Sequence, residues 1–497
     1  MRVRRGRHAG RGAAALALTA TMALMVAACG GGGSAAKAPS GPSGTGSAAS
    51  GSGGVSETTV TPSTTALKFD PKSCPVKALD TAKAPIPVTF WHAMPEANEK
   101  ALAALTDKYN AGQQKVKVTL QYQGTYDETL TKYVAGVRGG ELPTMVQMEE
   151  TAMQVMLDSK STVPIAACIA ADNYDTSDFA KALFGQYSVG GVLVTMPFQL
   201  SNPVLYYNKA AFRRAGLDPE KPPTTLAEVL EASRKIVATK ATPKAFSMQG
   251  QAWYLEQWTS MAGEAVVDNN NGRSGRATKA LLDGHEMTDV FQWIESMTKE
   301  GLVKYVGRDE KLTDALVAVA TEDVAMTVST SAALGTIYAQ LPAFPKIELG
   351  VAPLPGPSGA GGITVGGGSL YMSSKASDEQ KAAVWDYMKF LSSVESQVAW
   401  HLATGYIPTR ISAANRPEVQ TLWQTKPGFK VAYDQLNKAS TPPGGGGPAI
   451  GDYVGVRNAI VAGIEAIVNA TPAASAQKQV LDGANKAIAD YNKRIGA

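Results

Sequence analysis

Catalysis is the first use these residues could serve, and the supply is thin. Beyond an arginine-rich leader the chain keeps three histidines, His92, His285 and His401, which lie far apart in sequence. It has no H-E-x-x-H pair, no G-x-S-x-G elbow and no G-x-x-x-x-G-K-[ST] loop to cradle a phosphate. Trp91-His92 and Trp400-His401 invite a zinc reading, but two histidines with no carboxylate at ligand spacing read as hydrogen-bonded core residues. An exported glycosidase or phosphodiesterase would need a close carboxylate pair or a metal cluster. Glu149-Glu150 are adjacent, and on a strand they would point to opposite faces. Gly366-Gly367-Gly368 is no nucleotide loop and reads as a place where a strand bends or a ligand approaches backbone. The expectation is a protein that is not an enzyme and uses no cofactor and no metal.

Arg2, Arg4, Arg5, Arg7 and Arg11 precede an apolar run over 13–26, too short for a bilayer span and placed like the core of a signal peptide. Val26-Ala27-Ala28-Cys29 resembles a bacterial lipobox. Residues 1–28 are therefore expected to be cleaved and Cys29 lipidated, giving an extracytoplasmic protein that touches the membrane only through its anchor. The cut removes five arginines and no acid from 47 basic and 43 acidic residues, which leaves 42 against 43. With no basic stripe left, a nucleic-acid partner is not expected. Residues 29–70 are mostly Gly, Ser, Ala, Pro and Thr, a composition that reads as a flexible tether. Cys74 and Cys168 are then the remaining pair in an oxidising setting, and a disulfide is the default. It would close a loop worth roughly 4–5 kcal/mol on chain-entropy arguments. Two buried free thiols or a metal site are the alternatives.

A body of this length suggests two domains, and its pattern alternates strands with helices. Strands are expected over 87–91, 116–122, 145–148, 193–196, 204–207 and 324–328. Helices are expected over 96–109, 129–137, 210–215, 226–238, 255–262, 286–299, 312–319, 395–404, 453–468 and 474–495. Thr225-x-x-Glu228 and Ser377-x-x-Gln380 read as capping boxes opening helices. A parallel sheet covered by helices follows.

The phrases VLYYNK over 204–209 and AGLDP and PPTT up to Thr225 resemble the hinge of extracytoplasmic solute-binding proteins of ATP-driven importers. TFWHAM (89–94), GTYDETL around Tyr126, LVKYVGR (302–308), VGGGSL (365–370), WHLATGYIP (400–408) and GDYVGVR around Arg457 resemble that family's glycerol-phosphate-binding subgroup. The resemblance runs over nearly the whole body. It implies an α/β periplasmic-binding-protein type 2 fold, with two discontinuous lobes joined by a three-segment hinge. The crossings are expected after residue 200, around Ala325–Ser329 and at 364–371. That gives 71–200 with 329–366 as the first lobe and 201–328 with 367–497 as the second.

The resemblance also implies a site for a small-molecule ligand, with Tyr126, Glu150, Ser201, Trp253, Thr330, Gly367, Tyr406 and Arg457 as its residues. Arg457 offers a planar fork matched to two phosphate oxygens, and Ser201, Thr330, Tyr406 and the Gly367 amide could complete that shell. Glu150 would accept hydroxyl protons from a glycerol or sugar end, and Tyr126 or Trp253 would cover its CH groups. Where the family carries a tryptophan, Gln249 stands here, with Trp253 a turn later. The implied function is a lipid-anchored receptor for glycerol-3-phosphate or a glycerophosphodiester such as glycerophosphocholine, delivering it to permease subunits in the membrane. A sugar or oligosaccharide receptor is the alternative, with Arg457 then a structural ion pair.

Overall fold

The computed structural model describes residues 67–83, 85–308, 313–358, 361–438 and 441–497. The expected leader, the Cys29 anchor and nearly all of the tether lie outside them. Among the described residues no helix is long and apolar enough to cross a membrane.

Two sheets organise the chain. In the first, Ile86–His92 lies between Val116–Tyr122 and Met145–Glu149, all parallel. Parallel pairing demands long crossovers, supplied by the helices Glu96–Gly112 and Tyr126–Gly139. Gly368–Ser373 then runs antiparallel along Met145–Glu149. In the second sheet Phe246–Met248 lies between Val303–Tyr305 and Met326–Thr330, again parallel. Pro203–Asn208 runs antiparallel between Met326–Thr330 and Leu349–Pro353.

Period-2 patterning shows what Pro203–Asn208 does. Leu205 and Tyr207 enter the second lobe's core while Val204 and Tyr206 enter the first, so all six residues are buried. The first core gathers Phe90, Leu102, Met145, Trp385, Tyr387 and Trp400. The second gathers Phe246, Trp258, Phe291, Met326, Ile460 and Val480. Thr225 and Ser377 both close full capping boxes, as does Thr125 with Glu128.

Three sequence expectations change. The strand expected over 193–196 divides: Val192–Leu193 pairs with Ser188–Val189 across Gly190-Gly191, and Met196–Pro197 pairs with Gly368–Ser373. Between them Thr195 spends its hydroxyl on the Leu370 carbonyl. The helix expected over 312–319 begins at Asp314 among the described residues.

The third change concerns the lobe boundaries. Leu349–Pro353 makes five register pairs with Pro203–Asn208, so the chain joins the second sheet again past Thr330, although Leu334 between them packs on the first core. It returns to the first lobe at Gly366–Gly368, because Gly368–Ser373 pairs with Met145–Glu149. The following helices, from Asp378–Leu391 to Gly428–Lys438, pack on the first core. The final crossing falls in the Gly-rich stretch before Tyr453, where Gly447 is bonded both by Gln186 of the first lobe and by Arg273 of the second. Residues 453–497 then complete the second lobe. The expected boundaries at 329 and 367 assign Leu349–Pro353 to the first lobe, whereas its strand pairing is with the second sheet.

Cys74 and Cys168 form a disulfide spanning 94 residues, which ties the segment before the first strand to the helix Ile165–Asp172.

Candidate functional site

Arg457 sits in the first turns of the helix Tyr453–Val468, whose N-terminus is capped by the Asp452 side chain. Its guanidinium lies over the Tyr453 ring, 4.8 Å from the centroid. Nε and Nη2 each donate to Glu256 at 2.8 Å, Nη1 donates to Glu149 at 3.2 Å, and Nη2 also donates to Glu150 at 3.2 Å. Four of the five N–H donors of the fork therefore end on carboxylates. Glu149 and Glu150 belong to the first lobe, Glu256 and Arg457 to the second.

The adjacent acids do not diverge as strand geometry would have them do. The strand Met145–Glu149 stops at Glu149 and a 3-10 turn begins at Glu150, which rotates the second carboxylate back beside the first. Glu150 is also anchored by the Gly367 backbone N–H, which donates to its Oε2 at 3.0 Å. Thr151 donates to Glu149 at 3.0 Å.

Tyr126, the first residue of its helix, shares a hydroxyl hydrogen bond with Tyr406, and both feel the charge of Glu149 and Glu150. Burial pushes Tyr406 up to about 12 and Tyr126 well above the usual phenol range. The Tyr406 ring stacks on Trp400 with centroids 5.6 Å apart. Its carbonyl meets Nδ1 of His401, whose Nε2 accepts from the Trp423 indole at 2.9 Å. That indole bond fixes the proton on Nδ1, and burial holds His401 neutral with a pKa lowered to about 4.

Three carboxylates against one guanidinium leave surplus negative charge. Burial first, and the neighbouring Glu149 second, push Glu150 up to about 8. Burial also raises Glu149, opposed by Arg457. Arg457 is held firmly charged because the acids outweigh its own desolvation.

Tyr126, Glu150, Gly367, Tyr406 and Arg457 thus form one connected cluster. Ser201 sits beside it: its backbone exchanges two 2.9 Å bonds with Gly366. Trp253 lies against the same crossing, with its ring so near Gly366 that an added Cβ would stand 2.4 Å from Cζ2. Thr330 is elsewhere occupied, because its hydroxyl caps Ala332 N at 3.2 Å at the end of the strand opposite Pro203. Gln249 is buried against Tyr254 and donates to the Val328 carbonyl at 3.2 Å.

Two residues that the sequence analysis passed over complete the cluster. Glu256, 3 % exposed, lies one helical turn after Trp253, and Tyr453 lies one turn before Arg457, with its hydroxyl bonded to Glu256. The i,i+3 and i,i+4 spacings were the available signal. Among the described residues no group of three His, Cys, Asp or Glu is placed to hold a metal ion.

The family model for bacterial extracellular solute-binding proteins matches residues 104–430. This chain belongs to that family. The sn-glycerol-3-phosphate-binding periplasmic protein UgpB of Pectobacterium atrosepticum is 31% identical over 373 residues, covering 73% of this chain and 82% of the relative. UgpB of Yersinia pestis is 29% identical over 409 residues, 80% of this chain and 91% of the relative. Among solved structures, UgpB of Mycobacterium tuberculosis in complex with glycerophosphocholine aligns with TM-score 0.67 at 22% identity, covering 82% of this chain and 98% of that one. The cyclic alpha-maltosyl-1,6-maltose binding protein of Arthrobacter globiformis aligns with TM-score 0.68 at 23% identity, covering 82% and 100%. At these identities the structural likenesses establish the fold, which is that of type 2 periplasmic binding proteins. For a solute-binding protein of this fold, a polar and aromatic cluster reached from both lobes is the place to look for ligand.

Proposed function

We propose that this chain is the solute receptor of an ATP-driven importer, anchored through lipid on Cys29, and that it captures a glycerophosphodiester or glycerol-3-phosphate between its lobes for delivery to the permease. One observation carries the ligand site: Arg457 of the second lobe faces Glu149 and Glu150 of the first, flanked by Tyr126 and Tyr406. Relatives at about 30% identity whose names give glycerol-3-phosphate as ligand support the ligand class. Ligand oxygens take over the guanidinium edge now held by Glu149 and Glu150, Glu150 accepts a glycerol hydroxyl, and the tyrosines cover the CH groups. Contacts to both lobes favour the closed form by their differential affinity, and that form is what a permease can sense.

A neutral sugar is the second reading, favoured by the surplus of carboxylates round Arg457 and by sugar-binding structural relatives. Calorimetric titration of the purified protein with glycerol-3-phosphate, glycerophosphocholine and maltose decides between them. Binding of a phosphate ligand that disappears in Arg457→Ala, with no heat from maltose, supports the first reading. Heat from maltose alone overturns it. Palmitate labelling of the wild type but not of Cys29→Ser is the outcome expected for the anchor.

A further inference from the structure

Arg457 is not offered to the cleft as a bare cation. Glu256 is 3 % exposed and takes both Nε and Nη2 at 2.8 Å, so it fills the two-donor edge of the fork that best matches a phosphate. Tyr453 bonds to the same carboxylate and lies under the same guanidinium. The helices that carry the pair share one core, with Ala252, Leu255, Val456 and Ile460 packed together. The pair therefore lies wholly within the second lobe and survives opening. The bonds to Glu149 and Glu150 cross the cleft and are longer, at 3.2 Å.

We propose that Glu256 is a specificity-determining residue: a resident counter-anion that neutralises Arg457 before ligand arrives and so selects singly charged diesters or neutral polyols over doubly charged phosphomonoesters. This rests on the ligand class proposed above and deepens it. A ligand bound on the outer edge of the fork has the guanidinium next to it and the Glu256 carboxylate just behind. Coulomb's law at an intermediate dielectric makes that repulsion worth about tenfold or more in affinity for each ligand charge. A phosphomonoester carries about −1.5 to −2 at neutral pH, whereas a diester carries one charge, so the monoester is disfavoured more.

Glu256→Gln keeps the size and an acceptor oxygen but removes the charge. Titrating wild type, Glu256→Gln and Glu256→Asp with glycerol-3-phosphate, glycerophosphocholine and maltose tests the inference. The expected result is glycerol-3-phosphate binding at least tenfold tighter in Glu256→Gln, glycerophosphocholine tightening less, and maltose giving no heat in either protein. Glu256→Asp, which keeps the charge, holds the wild-type ratio of the two phosphate ligands, an outcome that a purely structural role would not give. If the phosphate ligands bind and their ratio is the same in Glu256→Gln, the inference is wrong while the ligand class stands. If neither phosphate ligand binds wild type or Glu256→Gln while maltose does, both fail together.

Discussion

At Arg457 the unit that titrates is the cluster and not any single acid. Burial and Glu149 push Glu150 up to about 8 from 4.5, so the folded protein holds a proton there that the unfolded chain has released above its own pKa. Stability linked to Glu150 is therefore present below about pH 4.5 and is lost as pH rises through 8. His401 works in the opposite sense. Its pKa is lowered to about 4 by burial, so its contribution is present above 6.5 and lost as pH falls, up to about 3 kcal/mol by pH 4. Denaturant unfolding between pH 4 and 9 should show a broad maximum between about pH 4.5 and 6.5, where the two slopes cancel, then a fall towards pH 8, and Glu150→Gln should flatten that fall by about 1 kcal/mol or more. An alkaline limb unchanged in Glu150→Gln would assign it to other groups. The sequence exposes part of this cluster and hides the rest for a physical reason. Arg457 and Glu150 stand in distinctive phrases, but Glu256 lies in a helix, Ala252–Met261, that is buried on every side. A single acid among aromatic and aliphatic neighbours carries no pattern that separates a buried ion-pair partner from a solvent-facing one. The adjacent acids were misread for the same kind of reason, since where a strand stops is set by tertiary pairing.

The crossing elements do the positioning, and glycine is needed in them for stated contacts. Gly367 has φ +115°, and a Cβ there would lie 2.2 Å from the Gln199 carbonyl oxygen, while its N–H anchors Glu150. Gly367→Ala should cost about 2 kcal/mol or more and weaken ligand binding by displacing Glu150, read by thermal unfolding and titration. Gly112→Ala is the control: it ends the helix Glu96–Gly112 with no atom within 4 Å of an added Cβ, and its stability should hold or rise slightly. The bridge from Cys74 to Cys168 belongs to the same scale. Replacing both by serine should lower stability by about 2–5 kcal/mol, measured by denaturant midpoint, because a loop of 94 residues is released in the unfolded chain. Helices with strong caps were legible beforehand: Thr225 and Ser377 announce their helices locally. The phase of the crossings was not, because Leu349–Pro353 becomes a second-lobe strand only through its pairing with Pro203–Asn208, a contact about 145 residues distant that no local pattern encodes.

Across the whole molecule, two groups of bonds join the lobes away from the Arg457 cluster. Asp158, on the first lobe's helix Met153–Ser159, accepts from Arg276 Nη2 at 2.6 Å, from Arg276 Nη1 at 2.9 Å and from the Tyr491 hydroxyl at 2.8 Å, both partners belonging to the second lobe. Arg273 adds a second tie. Buried among backbone carbonyls, it donates to Gly185 at 3.0 Å and to Ser188 at 2.7 Å, and burial without a carboxylate lowers its pKa to about 10. These bonds involve no ligand atom, so they add to the stability of the closed form whichever ligand binds. The Asp158 group is a two-pronged, partly buried contact, with Asp158 15% exposed, and is worth about 1–2 kcal/mol, or roughly a tenfold shift in the balance of open and closed forms. Asp158→Ala removes it without touching the Arg457 cluster. Small-angle scattering of the ligand-free variant should give a larger radius of gyration than wild type, saturating ligand should restore the wild-type value, and affinity should fall by up to tenfold. The same ratio should appear for glycerophosphocholine and for any other ligand that binds, because closure is common to all of them, whereas Glu256→Gln changes the ratio between ligands. A variant with unchanged scattering and unchanged affinity would mean that the lobes are held together at the cleft alone.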